Sequence, residues 1–437
     1  MTPPAVRGAR PPLRRMGRSV VRWFAAHRRP LPWRTGRDPY RIWLAEVLLQ
    51  QTRVEQAVPY FERFVARFPT VESLAAASEA EVLKLWQGAG YYGRARRLHA
   101  AAREVVGRFG GRLPTSVEAL ESLPGVGPYT ARAVAAIAFD VPSVPVDANV
   151  ARVASRWLRE ERDPTHPEVR LSLARAMEEA APPEEPAGFA EGVMELGETL
   201  CLPRRPRCDL CPVAFGCRAT RELREPGRIP RRRARRPRPH VRAAVVAVHR
   251  RERWLVQQRP STGLLGGLWE FPGGKIEHGE RPEETARREL REETGSTVGP
   301  LERVGVVRHA YSHFTVELHL FRGALRSLPR RSGRRRWATL EEISRLPLPR
   351  ATEKILAALK EPMARPRGAD PPASATRRGS ARSSRAPRGP PGRTRAPRTA
   401  GRAWRGRRAP RPRGGAPRGR AAAERGRAAR AGPAAPP

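Results

Sequence analysis

A mainly α-helical N-terminal region, a small α/β domain after it and a disordered basic tail are the fold class that three observations predict. A helical apolar segment, Pro39–Val54, and a helix-joining turn, Leu123–Ala131, precede four closely spaced cysteines, Cys201, Cys208, Cys211 and Cys217. Strand-like alternation begins only after residue 240, in VRAAVVAVHRRERWLVQQR. Beyond about Met363 the chain is Pro, Arg, Gly, Ala and Ser with almost no large apolar residue, so it cannot bury enough surface to fold. The 437 residues therefore divide into an arm (1–17), a helical region (18–218), an Arg/Pro-rich linker (219–240), an α/β domain (241–360) and a tail (361–437). A formal charge of +42, most of it arginine, calls for a polyanionic partner with a steep salt dependence of binding. No apolar run approaches a membrane span.

The stretch up to Arg18 is basic and acid-poor, which fits an unstructured arm or a transit peptide. Pro39–Val54, PYRIWLAEVLLQQTRV, reads as a helix with little polar surface around Glu46. A carboxyl among Ile42, Trp43, Val47 and Leu48 loses solvation when ionised, so its pKa should rise, as a general acid needs. The competing reading is an ordinary exposed helix glutamate. GAGYYGRARRL, from Gly88, sets two tyrosines beside Arg94, Arg96 and Arg97, a composition for a loop that enters a duplex while cations hold phosphates, or for a solvated basic helix start. In LPGVGPYTA, Gly125 and Gly127 permit a sharp turn whose amides, at the start of a helix, form an anion nest. Asp147 in VDAN suits a helix N-cap. It also suits a fixed carboxylate that stabilises a developing cation.

The cysteines have the spacing C-x6-C-x2-C-x5-C and are the only ones in the chain. That favours one thiolate metal centre over disulfides. An iron–sulfur cluster tolerates the uneven spacing; zinc usually takes two close pairs, and here only Cys208 and Cys211 are close. The linker reads as extended and poorly foldable.

Together these segments resemble the helix-hairpin-helix DNA glycosylases with a 4Fe-4S cluster, among them endonuclease III and the MutY adenine glycosylases. WLAEVLLQQT is similar to the adenine branch's WLSEVMLQQT, and Tyr129 stands where lyase members place a Schiff-base lysine. The resemblance implies a monofunctional enzyme removing adenine mispaired with 8-oxoguanine or guanine in duplex DNA. In it Glu46 is the catalytic acid and base, Asp147 the electrostatic partner, and Asn149 and Tyr129 orient Asp147 and the sugar. It further implies that Tyr91 wedges into the stack and that Gln50 or Gln51 fills the gap left by the extruded base. Glu195 replaces the aspartate usual in the family's MDLG segment. The implied protein is a monomer and, if bacterial, cytoplasmic and nucleoid-associated.

In the α/β domain, Gly274-x5-Glu280-x7-Arg288-Glu289-Leu290-x-Glu292-Glu293-x-Gly295 reproduces a Nudix box, with Ser296 at its last, normally apolar, position. Glu289, Glu292 and Glu293 at helical spacing put three carboxylates on one face, an arrangement that selects Mg2+ or Mn2+. Adenine glycosylases typically carry a MutT-like domain with this box decayed. HAYSHF resembles the loop with which that domain contacts 8-oxoguanine, here through Tyr311, Ser312 and His313. Lesion reading alone, or reading together with Mg2+-dependent hydrolysis of 8-oxo-dGTP, both fit. The rival functions are an endonuclease III-like glycosylase/lyase, a non-catalytic DNA-binding protein, and a nucleotide-pool Nudix hydrolase tethered to DNA.

Overall fold

The structure is a computed structural model that describes residues 12–231, 237–329 and 332–361. The tail expected from residue 361 lies outside these from residue 362 onward. The arm is shorter than expected. Leu13, Met16, Val20, Val21 and Phe24 recur at helical spacing, so a Leu13–His27 helix forms and buries that face.

The helical region has two cores. One gathers buried residues from Trp33 to Ile137. The other combines the Leu13–His27 helix with residues from Val144 to Ile229. At the seam lies the Pro39–Leu49 helix, started by Asp38, which accepts from the Tyr40 and Arg41 amides, and by Pro39 at its first position. Every residue from Ile42 to Leu48 is buried, so the helix is apolar on all sides and Glu46 is enclosed with it. The hairpin turn joins the Val117–Glu121 and Pro128–Phe139 helices.

The linker is not extended throughout. An Arg218–Glu222 helix and a 3-10 turn at Pro226–Arg228 fold back on the second core, and Ile229 is buried there. Its carbonyl accepts from the fully buried Arg156 at 3.0 Å. The Arg/Pro pattern that reads as open chain conceals this anchor because one apolar residue and one distant arginine decide it.

Among the described residues the α/β domain is a mixed seven-stranded sheet. Its strands are β1 (His240–Arg250), β2 (Arg253–Gln258), β3 (Trp269–Glu270), β4 (Gly273–Lys275), β5 (Glu302–Ala310), β6 (Thr315–Ala324) and β7 (Arg335–Ala338). The expected hairpin is β1–β2, closed at Arg250 and Arg253. β1 also pairs in parallel with β6 and antiparallel with β4, while β5 and β6 form a second hairpin whose turn carries Tyr311–Phe314. The Pro282–Thr294 helix bears the three box glutamates and packs on β1 and β4.

The sheet domain is seated on the helical region through specific contacts. Lys84 Nζ donates to the carbonyls of Ser344 and Leu346 at 2.7 and 3.1 Å, and the Tyr92 hydroxyl donates to that of Leu348 at 3.1 Å. Leu268 of the sheet domain is buried within the first helical core.

Candidate active site

Glu46, Tyr129, Asp147 and Asn149 line one cavity of about 700 Å3 between the two helical cores. Each arrives by a different local device. Glu46 comes on the buried helix; Tyr129 follows Pro128 in the first turn after Gly127; Asp147 is the N-cap of the Ala148–Leu158 helix. Glu46 is 6% exposed, and its Oε2 has no hydrogen-bond partner. Burial pushes its pKa up to about 7; a hydrogen bond with Tyr129 opposes the shift, and the negative charges of Glu191 and Asp147 add to it. The group is thus a poised proton donor near neutral pH.

Asp147 accepts the Val150 amide at 2.6 Å, so it caps the helix and faces the cavity at once. Burial raises its pKa, while the Val150 and Asn149 amides and Arg152 restrain the rise. Burial also keeps Tyr129 a neutral phenol. The Asn149 amide oxygen accepts from Arg152 at 2.9 Å, and Arg152 in turn donates to the Cys201 carbonyl. Not anticipated was a charged wall on the same cavity. Arg34 donates to Glu191 at 2.8 Å and to Glu195 at 3.0 Å, and Arg29 binds Glu195 at 2.5 Å. Glu191 and Glu195 lie four apart on the Pro186–Thr199 helix, a spacing that could have marked this face.

Gly125 takes φ +79°, and a Cβ there would lie 2.6 Å from that of Arg97, so the turn requires glycine. Gly127 has ordinary extended backbone; a Cβ would meet nothing within 4 Å, which leaves the start of the next helix open to a ligand. Gln50 donates to Thr130 at 3.1 Å beside the hairpin, and Gln51 is exposed with φ +61°. Tyr91 is 40% exposed and also left-handed, at φ +48°.

Arg94 is a correction. Expected at a phosphate, it is instead 5% exposed, donating to the Val47 and Leu48 carbonyls at 2.8 and 2.9 Å and to Thr52 and Ala89. Its guanidinium satisfies the carbonyls that the Pro39–Leu49 helix leaves open at its end and lies under the Tyr91 ring. Arg94→Met should therefore lower unfolding stability by about 3 kcal/mol, because buried acceptors lose their donor. The salt slope of DNA binding should stay unchanged, which a salt titration beside a denaturant melt would check.

The four cysteines are free and border one cavity with Arg156 and Trp157. Burial raises the Cys201 thiol and pushes that of Cys211 up to about 12, with the neighbouring cysteines adding to both. Arg156 donates to the Cys201 sulfur at 3.2 Å. Among the described residues no three His, Cys, Asp or Glu side chains converge closely enough to hold one metal ion. A shared cavity and a guanidinium donating to one of the sulfurs suit four thiolates held at one metal centre.

In the sheet domain, Tyr311 stacks on Phe314 at 4.6 Å, and Ser312 Oγ meets His313 Nδ1 at 3.2 Å. This turn faces the Tyr91 loop across a second cleft of about 700 Å3. The three box carboxylates are each held by protein donors. Arg288 donates to Glu289 and Glu292, each at 3.0 Å, and also binds Glu280. Glu293 accepts from Gln257 at 2.6 Å and the Gly273 amide at 3.0 Å, and burial pushes its pKa up to about 7. The helical spacing does set the three on one helix, and each carboxylate is held there by a protein donor. Ser296, at the apolar position of the box, is fully buried with its hydroxyl unpaired.

Residues 44–179 match the HhH-GPD superfamily of base excision DNA repair proteins, and residues 243–358 match the NUDIX domain. The chain is 34% identical over 395 residues to the adenine DNA glycosylase of Mus musculus, covering 77% of this chain and 76% of that protein. It is 33% identical over 402 residues to that of Homo sapiens, covering 77% and 72%. A solved thermostable thymine-DNA glycosylase matches 48% of this chain and 97% of its own, at 29% identity and a TM-score of 0.45.

Proposed function

The chain belongs to the adenine DNA glycosylase family, and we propose that it hydrolyses the N-glycosidic bond of adenine mispaired with 8-oxoguanine, or with guanine, in duplex DNA. The observation that carries this reading is Glu46, a carboxyl enclosed by apolar neighbours whose pKa burial pushes up to about 7, in one cavity with Asp147. Glu46 gives its proton to adenine N7. The C1′–N9 bond breaks with its electron pair leaving on the base. The Asp147 carboxylate stabilises the cationic sugar, with Tyr129 and Asn149 lining the cavity to hold both in place. Glu46, now ionised, takes a proton from water as its oxygen bonds C1′. Tyr129 occupies the hairpin position, and no lysine occurs between Lys84 and Lys275 in the sequence, which supports hydrolysis over a Schiff-base route.

Cys201, Cys208, Cys211 and Cys217 would hold a 4Fe-4S cluster, which when bound cross-links the loop carrying Arg204, Arg205 and Arg207. Protein purified anaerobically should contain about four irons per chain and little zinc. Cys208→Ser should cost DNA affinity or solubility more than it changes the rate of bond cleavage. Stoichiometric zinc without iron would overturn the assignment.

The sheet domain reads the lesion through Tyr311, Ser312 and His313. Of the two readings the box allows we take lesion reading alone, because Arg288 holds Glu289 and Glu292 and the Gly273 amide holds Glu293, and we derive no step through a divalent cation. Single-turnover base release from duplexes with A opposite 8-oxoguanine, G or T tests the main reading; the expected order of rates is 8-oxoguanine, then G, with T inert. The same preparation, given 8-oxo-dGTP and Mg2+, should release pyrophosphate no faster than Glu292→Gln, and that substitution should leave adenine release intact. Mg2+-dependent turnover lost in Glu292→Gln would restore the second activity.

A further inference from the structure

We propose that Lys84 and Gln87 are positioning residues for lesion reading, fastening the sheet domain so that the Tyr311–His313 turn keeps a fixed span from Tyr91. This rests on the lesion-reading proposal above. Reading a base from two sides requires the sides to hold their distance, because a hydrogen bond to a base edge is lost beyond about 3.5 Å. Here the two sides belong to different domains, and domains of one chain move against each other unless their interface holds them. Lys84 lies in the last turn of the Glu79–Trp86 helix, and Gln87 is the residue that ends it. An ammonium has three donors, and Lys84 uses all of them. They go to Gln87 Oε1 at 3.1 Å and to the Ser344 and Leu346 carbonyls at 2.7 and 3.1 Å. Gln87 carries the attachment on. Its side-chain oxygen also accepts from the Leu348 amide at 3.3 Å, and its side-chain nitrogen donates to Glu353. The Tyr92 hydroxyl closes the seam, accepting from the Gly88 amide at 3.2 Å and donating to the Leu348 carbonyl at 3.1 Å. Tyr91 lies between these grips, so one side of the cleft is set by the residues that hold the other domain.

The opposite side is reached through a single helix. Glu353 stands in the first turn of the Arg350–Lys360 helix. Ile355, Leu356 and Leu359 of that helix share a core with Val307 of β5, and Lys354 Nζ donates to the Arg308 carbonyl at 2.9 Å. β5 ends at Ala310, and the reading turn follows directly. Lys84 and Gln87 therefore hold the start of a helix whose other contacts hold the strand that presents Tyr311, Ser312 and His313. The choice of cation fits this role. The chain has 85 Lys and Arg, of which only four are lysine, yet Lys84 and Lys354 stand at the two ends of this route. At Lys84 three oxygens converge on one nitrogen, a pattern that a compact ammonium satisfies and a planar guanidinium does not.

The test uses the full chain with Lys84→Met, which keeps the stem and removes the three bonds. In free protein, backbone hydrogen exchange in peptides covering 306–313 and 346–353 should run about fivefold faster than in the parent, while the Pro39–Leu49 helix is unchanged. Gln87→Ala should give the same pattern at 346–353. Parental exchange at 306–313 in Lys84→Met overturns the inference. With duplexes, the preference for 8-oxoguanine over guanine opposite adenine should fall about tenfold in Lys84→Met, within the range for coupled neighbours. Adenine release at saturating enzyme should stay within about twofold of the parent, since Lys84 lies outside the active-site cavity. In a Ser312→Ala background the same substitution should change the preference less than about twofold, because it acts through the turn. A merely structural role would lower the thermal melt and leave the preference as it was; that result, or full additivity with Ser312→Ala, overturns the inference. If the parent shows no preference for 8-oxoguanine, lesion reading fails. The fastening is then decided by exchange alone, where faster exchange at 306–313 supports it and parental exchange overturns it.

Discussion

Glu46→Gln is expected to reduce single-turnover adenine release by a thousandfold or more, roughly the upper range of a general acid's contribution, while mispair binding stays near that of the parent. The amide keeps the side chain's shape and cannot supply the proton. The same substitution should make the protein more stable at alkaline pH. Burial raises the Glu46 pKa from 4.5 to about 7, so the folded state prefers the protonated form. Its stabilising contribution is therefore complete below the unfolded value and is lost as pH rises through the folded one. Above pH 7 the parent carries an ionised, buried carboxylate, and glutamine removes that burden, by up to about 3 kcal/mol. A variant that is inactive and yet melts at higher denaturant at pH 8 would separate a catalytic acid from a structural one. Parental rates should fall on the alkaline side near pH 7 as Glu46 ionises, and residual turnover in Glu46→Gln that keeps this limb would remove it from the role.

Much of this site was legible in the sequence because its chemistry is written in local surroundings. Glu46 stands in a helix with no polar side, so its burial follows from its neighbours. Asp147 precedes a helix it can cap, and the cysteines lie within one loop. What escaped were residues whose partners are distant in the chain. Arg94, beside two tyrosines and two further arginines, looks like surface; it is interior because the carbonyls of Val47 and Leu48 need a donor. Leu13 and Met16 look like a basic arm until the second core gives their face something to cover. Leu265 and Leu268 sit in a Gly-rich turn of one domain and pack into the core of the other. The box glutamates show the converse. Their spacing was right, but spacing does not say that Arg288 and the Gly273 amide will claim the carboxylates.

Asp147→Asn should lower adenine release about a hundredfold or more and leave stability near that of the parent. Two roles meet in this side chain, and asparagine separates them. Asn is as good an N-cap as Asp, so the bond from the Val150 amide and the start of the Ala148–Leu158 helix survive. The negative charge that would stabilise the cationic sugar does not survive. Asp147→Ala removes both, and should add a stability loss of about 1 kcal/mol to the same loss of rate. If Asp147 were only a cap, Asn would restore full turnover and Ala alone would be impaired. The pH profile gives an independent check. Burial raises the Asp147 pKa, so in the parent the rate should decline as falling pH protonates this carboxylate and cancels its charge. That acid limb should vanish in Asp147→Asn, while the alkaline limb set by Glu46 remains where it was.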